Sequence, residues 1–258
     1  MKIGIFDSGL GGLIIAKAIR KEMPEYDYVY LGDTKRVPYG NRSHQSVYEF
    51  TRQSVDYLFK KENCALVVLA CNTASARALR ILQKKYLPQN FPDRKILGVL
   101  IPAAEEAGKF GKVGVLATHG TVISESFPRE IKKINKRAKV FQNPAPLLVP
   151  LAEEGEMALA EEFVKKYLKP LIARKPEAIV LGCTHYPLFK KMIKRNLPVS
   201  IKIISQDEII PKKLKEYLKK HVEVQKKLSR KGSMKILVTD ITDSVRKHVN
   251  TSKLIELE

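Results

Sequence analysis

Two of the three cysteines lie where their thiols could transfer protons. Cys71 is in the stretch LACNTAS and Cys183 is in the stretch VLGCTHYP, and in both an apolar run leads straight into the thiol and its polar neighbours. A free thiol has a pKa of about 8.5, and a helix N-terminus or a cationic neighbour lowers that value. The sequence after Cys71 predicts the start of a helix, so we expect this thiol to be poised as a proton donor or acceptor.

The two cysteine-bearing turns belong to an internal repeat. KIGIFDSG begins at Lys2 and KVGVLATHG begins at Lys112, while the cysteines stand at 71 and 183, so the offsets are 110 and 112 positions. Each half of the chain therefore has one hydroxyl-rich turn and one thiol turn, in the same order. Ligands bind beyond the C-terminal ends of the strands in open parallel sheets. The repeat thus predicts two similar sheets whose thiols face each other across one cleft.

Short β-branched stretches alternate with longer amphipathic stretches along the chain, a pattern typical of parallel sheets covered by helices on both faces. The predicted strands are Lys2–Phe6, Tyr28–Leu31, Ala65–Ala70, Ile96–Val99, Val113–Ala117, Lys139–Gln142, Ile179–Leu181, Ile201–Ile204 and Lys235–Val238. The predicted helices are Leu13–Glu22, Ser43–Lys61, Ala74–Tyr86, Ser124–Asn135, Ala158–Ala173, Pro187–Asn196, Asp207–Leu228 and Thr242–Val249.

We predict an α/β fold with two pseudo-symmetric domains, each a mainly parallel sheet flanked by helices, and an active site in the interdomain cleft. Residues 1–95 plus 209–258 are predicted to form the first domain, which contains Cys71. Residues 96–208 are predicted to form the second domain, which contains Cys183. A flexible Gly/Ser linker is absent from the sequence, so we expect the domains to pack tightly against each other.

Three kinds of chemistry are compatible with Cys71, Cys183 and His185. The three side chains could bind zinc, but the C-x-H spacing is poor for a structural zinc site and no CxxC motif occurs. Cys183 and His185 could form a nucleophilic pair. Acid/base catalysis by two thiols is the interpretation that explains why each half supplies one cysteine. Cys64 has no polar motif around it, and we interpret it as inert.

The glycine-rich stretch FDSGLGG, residues 6–12, follows the first predicted strand. It fits neither the dinucleotide fingerprint nor a Walker A loop. Its glycines could expose amides that hold a carboxylate. Asp7, on the Cys71 side of the cleft, could be a general base or bind the substrate ammonium. The structural alternative is that Asp7 and Ser8 are residues of a helix-entry turn.

The stretch GDTKRVPYGNRS, residues 32–43, follows the second predicted strand. In a structural interpretation it is a turn, and Ser43 caps the next helix. In a functional interpretation it is a loop in which Pro38, Tyr39 and Gly40 close over a ligand.

The composition restricts the class of protein. No stretch approaches the roughly eighteen apolar residues of a membrane span, and the start lacks the features of a signal peptide, so we expect a cytoplasmic enzyme. Three cysteines in 258 residues do not make a disulfide framework. The net charge of +20 comes from lysines spread over predicted helix faces. We therefore do not expect nucleic acid as the main partner.

The series of motifs resembles bacterial glutamate racemases of the Asp/Glu racemase superfamily. The matching motifs are FDSGLGGL at 6–13, GDT and PYGNRS within 32–43, ACNTAS at 70–75, GV and PA within 98–103, THGT at 118–121, VPLAEEG at 149–155 and LGCTHYPL at 181–188. The resemblance implies interconversion of L- and D-glutamate without cofactor or metal, one cysteine removing the α-proton and the other returning a proton to the opposite face. It also implies a homodimer that supplies D-glutamate for peptidoglycan.

The resemblance assigns roles to particular residues. The catalytic residues that it implies are Cys71, Cys183, Asp7, His185 and Glu153, with Glu153 behind His185. The substrate-binding residues that it implies are Asp7, Ser8, Pro38, Tyr39, Gly40, Asn72, Thr73, Thr118, Thr121, Thr184 and His185. It further implies that Cys71 takes the proton from D-glutamate and Cys183 the proton from L-glutamate.

The sequence departs from the family pattern in places. Residues 98–102 read GVLIP, where many members have GVIEP, and the part after Gln206 matches only loosely. Either Glu153 or Glu154 could support the histidine. A racemase of aspartate or of another small acidic amino acid stays open as an alternative. A non-catalytic protein that binds amino acids or nucleic acid is the alternative from another class.

Overall fold

The computed structural model describes residues 1–249 and 252–257. Within these residues the chain forms ten β-strands and fourteen α-helices, numbered in chain order. Strands β1 to β10 are Lys2–Asp7, Tyr28–Gly32, Cys64–Leu69, Lys95–Gly98, Lys112–Ala117, Lys139–Pro144, Ala178–Gly182, Lys202–Ile204, Met234–Val238 and Ser252–Leu254. Helices α1 to α14 are Gly12–Glu22, His44–Lys60, Asn72–Arg77, Leu79–Ile81, Leu87–Asn90, Leu100–Ala107, His119–Ile123, Ser126–Ile134, Leu148–Glu154, Met157–Ile172, Lys190–Arg195, Gln206–Lys220, Val222–Gln225 and Asp243–His248.

Two parallel sheets organise the described part of the chain. The first has six strands in the order β10-β9-β2-β1-β3-β4, and the second has four in the order β6-β5-β7-β8. All strand pairs in both sheets are parallel. The order β2-β1-β3-β4 in the first sheet is the same as β6-β5-β7-β8 in the second. This shared topology accounts for the sequence repeat, and it confirms the predicted α/β fold with parallel sheets flanked by helices.

Apolar side chains fill both faces of each sheet. In the first sheet, Ile5 and Val68 point into one core cluster, while Phe6 and Leu69 point into the cluster on the other face. The second sheet is covered on both faces in the same way. Covering on both faces explains why the strands read as near-continuous apolar runs rather than alternating ones. No helix in the described ranges is long and apolar enough to cross a membrane.

Within the described residues, the chain crosses between the two sheets twice. It leaves the first sheet after β4 through α6, and it returns from β8 through α12. The predicted domain boundary between residues 95 and 96 falls inside β4. That strand belongs to the first sheet, because Val67 of β3 pairs with Ile96 and Leu69 pairs with Gly98. The division into two domains stays a prediction. Residues 250, 251 and 258 of the predicted first domain lie outside the described residues.

Some elements differ from the sequence-based expectation. Helices α5, α6, α7 and α9 and strand β10 were not predicted, and the predicted helix over 74–86 is divided into the end of α3, α4 and a π-helical turn at Leu82–Tyr86. The long helix predicted from Asp207 ends at Lys220, and α13 follows it separately. Helix α6, with the sequence LIPAAEEA, buries Leu100 and three alanines and so lacks a wide polar face. The usual amphipathic pattern of a surface helix is therefore missing there.

Candidate active site

The polar turns of the two halves meet at the C-terminal ends of four strands. In the first sheet the turns after β1 and β3 are adjacent, and in the second the turns after β5 and β7 are adjacent. The two sheets touch here directly: the Thr184 hydroxyl donates to Asp7 Oδ1 at 3.3 Å, and the Thr73 and Thr118 hydroxyl oxygens are 2.9 Å apart. Each pair of turns lies where the strand order reverses, the usual position of a ligand site in an open parallel sheet.

Cys71 is held at the end of β3 with its thiol 5% exposed. Its thiol donates to Ser8 Oγ at 3.5 Å, and its sulfur accepts from the Ala74 amide at 3.5 Å. Burial and the nearby charge of Asp7 raise the pKa of Cys71 to about 12. The expected lowering by a helix N-terminus is therefore wrong, because α3 has only six residues and one long N–H···S contact, which loss of solvation outweighs. In the closed structure Cys71 is a protonated thiol.

Asp7 ends β1 and is wrapped by the glycine-rich turn. Its Oδ2 accepts from the amides of Gly9 at 3.3 Å and Gly12 at 2.9 Å. A Cβ at Gly12 would lie 2.4 Å from the Asp7 Cβ, so only glycine permits this approach. Burial raises the pKa of Asp7, while the charge of His185 and the two amides oppose the rise. Two of the amides expected to hold a ligand carboxylate are thus occupied by the carboxylate of Asp7 itself.

Cys183 follows β7 and has a charged partner, unlike Cys71. Its sulfur, in a side chain 6% exposed, lies 3.7 Å from His185 Nδ1. His185 Nε2 lies 2.7 Å from Glu153 Oε1, and the Leu10 amide donates to the same oxygen at 3.4 Å. Glu154 is exposed, so Glu153 is the carboxylate behind the histidine.

His185 carries a positive charge in this arrangement. Burial disfavours the imidazolium, but the hydrogen bonds with Cys183 and Glu153 raise the pKa of His185 to about 10. A protonated imidazole next to a sulfur can stabilise the thiolate or give it a proton. The two thiols therefore differ: one is neutral beside Asp7, and the other lies beside a cation.

The hydroxyls of three threonines, which come from both sheets, lie close together. We call Thr73, Thr118 and Thr121 the threonine cluster. The Thr118 and Thr121 hydroxyl oxygens are 3.0 Å apart, and those of Thr73 and Thr121 are 3.5 Å apart. The Thr118 hydroxyl also accepts from the Thr121 amide at 3.4 Å, which caps α7. Hydroxyl hydrogens rotate freely, so the cluster can turn several donors towards an anion.

The loop at 38–40 covers the threonine cluster. A Cβ at Gly40 would lie 2.8 Å from the Thr118 Cβ, so the loop backbone is in close contact with that threonine. Tyr39 is buried and donates to Asp33 Oδ2 at 2.5 Å, whereas Pro38 is exposed. Ser43 accepts from the Ser46 amide at 3.1 Å and caps α2. The structural interpretation therefore holds for Ser43, while closure of residues 38–40 over a ligand stays a prediction.

Asn72 has a partner that the sequence did not suggest. Its side chain exchanges two hydrogen bonds of 2.7 Å with Gln206, and both residues are buried. Tyr30 was also missed; its hydroxyl donates to the Gly9 carbonyl at 2.6 Å and supports the glycine-rich turn. Neither residue stands in a motif with a chemical signature. Gln206 lies 134 positions from its partner, which explains why local sequence gave no signal.

The site is closed in this structure. Cavities of about 290 Å³ and 430 Å³ lie elsewhere, and a smaller one of about 150 Å³ is lined by Glu153 and His185, but neither Cys71 nor Cys183 lines any of the three. Within residues 1–249 and 252–257, no three His, Cys, Asp or Glu side chains are grouped to hold a metal ion. The arrangement brings together two thiols, an Asp7 carboxylate, a histidine–glutamate pair and a threonine cluster. Such a set can transfer protons to and from a small anionic molecule.

Comparison with known proteins agrees with the fold. The described chain superposes on the glutamate racemase isoform RacE1 of Bacillus anthracis with a TM-score of 0.88 at 30% identity, covering 99% of this chain and 97% of that one. It superposes equally well, at a TM-score of 0.88 and 29% identity, on a Francisella tularensis glutamate racemase in complex with D-glutamate, covering 100% of this chain and 98% of that one. An aspartate racemase of Picrophilus torridus, 19% identical with a TM-score of 0.57, shares the fold alone.

The sequence comparisons cover nearly the whole chain. The glutamate racemase of Persephonella marina is 39% identical over 96% of this chain and 91% of its own length. That of Aquifex aeolicus is 37% identical over 96% and 92%. The family model described as Asp/Glu/Hydantoin racemase matches residues 14–206, which include both thiol turns. With most of its length matched in this way, the chain belongs to the Asp/Glu/Hydantoin racemase family.

Proposed function

We propose that this protein interconverts L- and D-glutamate by transferring protons between the α-carbon and two thiols. The observation that carries the proposal is the pair Cys71 and Cys183, two buried thiols at equivalent strand ends of two sheets with the same topology. Racemisation needs one acid and one base on opposite faces of a planar carbanion. The relatives that are glutamate racemases, and the related enzyme in complex with D-glutamate, support glutamate as the substrate.

The two thiols are proposed to act in opposite protonation states. In the direction from L- to D-glutamate, the Cys183 thiolate removes the α-proton and the electron pair stays on the α-carbon. Cys71, whose pKa is raised to about 12 by burial and Asp7, then gives its proton to the opposite face. After this turnover Cys183 is protonated and Cys71 is the thiolate. The reverse reaction, or proton exchange with water, restores the starting state.

The neighbours of each thiol support these roles. His185, positively charged and 3.7 Å from the Cys183 sulfur, stabilises the thiolate that removes the proton, and Glu153 holds the imidazole in place. On the other side, Asp7 disfavours a second negative charge at Cys71 and so keeps that thiol protonated. We propose these three residues as assistants of the thiols, with Asp7 also able to bind the substrate ammonium.

The hydroxyls and amides of the site are proposed to hold the polar ends of the substrate. We assign a substrate carboxylate to the threonine cluster, with Ser8, Asn72 and Thr184 as further contacts. Removing an α-proton places charge on the α-carbon and its carboxylate, and fixed hydrogen-bond donors lower the energy of that charge. The proposed loop at 38–40 closes over the cluster and excludes water.

Substrate entry requires the site to open. Both thiols are almost inaccessible, at 5% and 6% exposure. We therefore propose that each sheet with its helices acts as a domain, and that the two domains separate and close. The domains follow the predicted division, except that β4 is counted in the first domain. The two crossings between the sheets are the hinge segments in this proposal, since the other connections in the described part of the chain join strands of the same sheet.

The wider role that we propose follows from the resemblance. It is the supply of D-glutamate for peptidoglycan, in the cytoplasm, by a homodimer that needs no cofactor. The test of the activity is direct: the protein is incubated with L-glutamate in heavy water without added cofactor, and α-deuteration and D-glutamate are followed by NMR and chiral chromatography. We expect both to appear. Absence of deuterium at the α-carbon together with absence of the D-isomer would reject the proposal.

Substrate preference is measured in the same assay by comparing the rates with L-glutamate and L-aspartate. We expect glutamate to be turned over faster, because the relatives that match most of the chain are glutamate racemases. A preference for aspartate would keep the two-thiol mechanism and reject glutamate as the substrate.

A further inference from the structure

Gln206 makes an unusually complete set of contacts for a residue without a role in the proposed chemistry. Its Oε1 accepts from Asn72 Nδ2 at 2.7 Å, its Nε2 donates to Asn72 Oδ1 at 2.7 Å, and the same nitrogen donates to the Val99 carbonyl at 3.3 Å. Gln206 is 1% exposed and Asn72 is 3% exposed, so water does not compete for these bonds.

We propose that Gln206 is a positioning residue that fixes the orientation of the Asn72 amide and thereby sets how tightly the substrate binds. The inference rests on the proposed function, in which Asn72 contacts the substrate. Gln206 itself does not touch the thiols. It acts on the substrate only through Asn72, which is the residue directly after Cys71.

The orientation argument depends on the Val99 carbonyl. A reciprocal amide pair has no preferred direction, because turning both amides over gives two equally good hydrogen bonds. A carbonyl oxygen can only accept, so Val99 forces the nitrogen of Gln206 to face it. The position of that nitrogen then fixes the oxygen of Gln206, which in turn fixes the nitrogen and oxygen of Asn72. One backbone group therefore selects one of two orientations of a site residue.

A selected orientation matters to an anionic substrate. An Asn side chain has two N–H donors and two acceptor lone pairs on its oxygen. Gln206 uses one donor and one lone pair of Asn72, which leaves one N–H to face in a set direction. An N–H attracts a carboxylate, whereas an amide oxygen in the same place would repel it. Loss of Gln206 would allow both orientations and weaken substrate binding.

The position of Gln206 in the fold connects the orientation of Asn72 to the proposed closure of the two domains. Gln206 is the first residue of α12, the crossing from the second sheet back to the first, and Val99 immediately precedes α6, the crossing in the other direction. The three bonds therefore join both hinge segments to the turn that contains Cys71. We infer that Asn72 is correctly oriented when the two hinge segments are in the arrangement seen here.

The test uses Gln206→Met, which keeps the size but removes all three hydrogen bonds, and Asn72→Ala, alone and combined. kcat and KM are measured for both glutamate enantiomers, and thermal unfolding is recorded for every variant. We expect Gln206→Met to raise KM roughly tenfold in both directions, the effect of one weakened hydrogen bond to a charged group, with a smaller change in kcat. In the Asn72→Ala background we expect the same substitution to change KM by less than about twofold.

A matched control separates positioning from general destabilisation. Gln83 also donates its side-chain amide to a backbone carbonyl, that of Ile96 at 2.8 Å, and it has no bond to Asn72. Gln83→Met should leave KM unchanged even where it lowers the unfolding temperature. If Gln206→Met does not fold, Gln206→Glu is measured instead, and the rise in KM is again the criterion. It is nearly isosteric, and its carboxylate would face the Val99 oxygen, so KM should rise at least as much.

Each outcome is decisive. A wild-type KM in Gln206→Met, or equal KM effects of that substitution with and without Asn72, would overturn the positioning role while leaving the proposed racemase function intact. Absence of turnover in the wild-type protein, measured alongside, would overturn both.

Discussion

Replacing Glu153 by Gln should lower the pKa of His185 and so weaken the support that its positive charge gives to proton transfer at Cys183. The pKa of His185 rises from 6.5 to about 10 in the folded protein, driven by hydrogen bonds with Cys183 and Glu153 against the effect of burial. At about 1.4 kcal/mol per unit, that rise corresponds to roughly 5 kcal/mol in favour of the imidazolium. A carboxylate at hydrogen-bond distance typically accounts for about one to three units. We therefore expect the pKa of His185 to fall by about one to three units in Glu153→Gln.

The activity should fall with the charge. At pH 8 we expect kcat/KM to decrease by up to about tenfold, because a fall of three units would leave only about a tenth of His185 protonated at that pH. The decrease has to be equal for L- and D-glutamate, since the enantiomers have equal free energy. The alkaline limb of the kcat/KM profile should move to lower pH. The histidine pKa is measured by NMR, with His185→Gln used to assign the signal.

The pH dependence of folding stability should also reflect the interaction between His185 and Glu153. The pKa of His185 is higher in the folded than in the unfolded state, so its contribution is complete below about pH 6.5 and is lost as pH rises through about 10. The stability difference between wild type and Glu153→Gln should accordingly be largest near pH 6 and small at pH 10, as measured by urea unfolding. Glu154→Gln is the matched control, because Glu154 is adjacent and exposed. An unchanged pKa of His185 in Glu153→Gln, or an equal loss of activity in the control, would refute the reasoning.

Three further substitutions test other parts of the site. Thr118→Val keeps the shape but breaks the threonine cluster, so KM for glutamate should rise by about 10- to 100-fold; an unchanged KM would exclude the cluster as the carboxylate site. Tyr39→Phe removes a donor from the buried Asp33, and urea unfolding should show a loss of about 1–3 kcal/mol in the free energy of unfolding, with no loss disproving the importance of that bond. Cys64→Ala should retain racemisation and lose about 1 kcal/mol of stability, because Cys64 is buried at the start of β3, at the other end of the strand from Cys71; loss of turnover in a folded protein would contradict that prediction.

Local patterns were sufficient for much of the fold. Strands such as β3 and β7 are short apolar runs, and the matched order of polar turns predicted two sheets with equivalent thiol positions. The hydrogen-bonded sheets confirm that prediction, because their shared strand order puts the turns after β1 and β3 and those after β5 and β7 at equivalent positions. Helix α6 escaped prediction because its burial removes the polar face on which amphipathic patterns depend.

The properties that sequence reasoning missed depend on residues far apart in the chain. The pKa of Cys71 is raised by burial between the two sheets and by Asp7, which no motif around the cysteine records. The bond between Asn72 and Gln206 spans 134 positions, and the membership of β4 in the first sheet depends on its pairing with β3. Such features appear only when the tertiary structure brings the groups together.

The most direct test of the two-thiol account is α-proton exchange by single-cysteine variants in heavy water. Cys71→Ala and Cys183→Ala are each incubated with L-glutamate and with D-glutamate, and loss of the α-proton signal is followed by NMR. The account predicts that neither variant racemises glutamate, that Cys71→Ala exchanges the α-proton of L-glutamate alone, and that Cys183→Ala exchanges that of D-glutamate alone. Exchange of both enantiomers by one variant, or full racemisation by either, would contradict it.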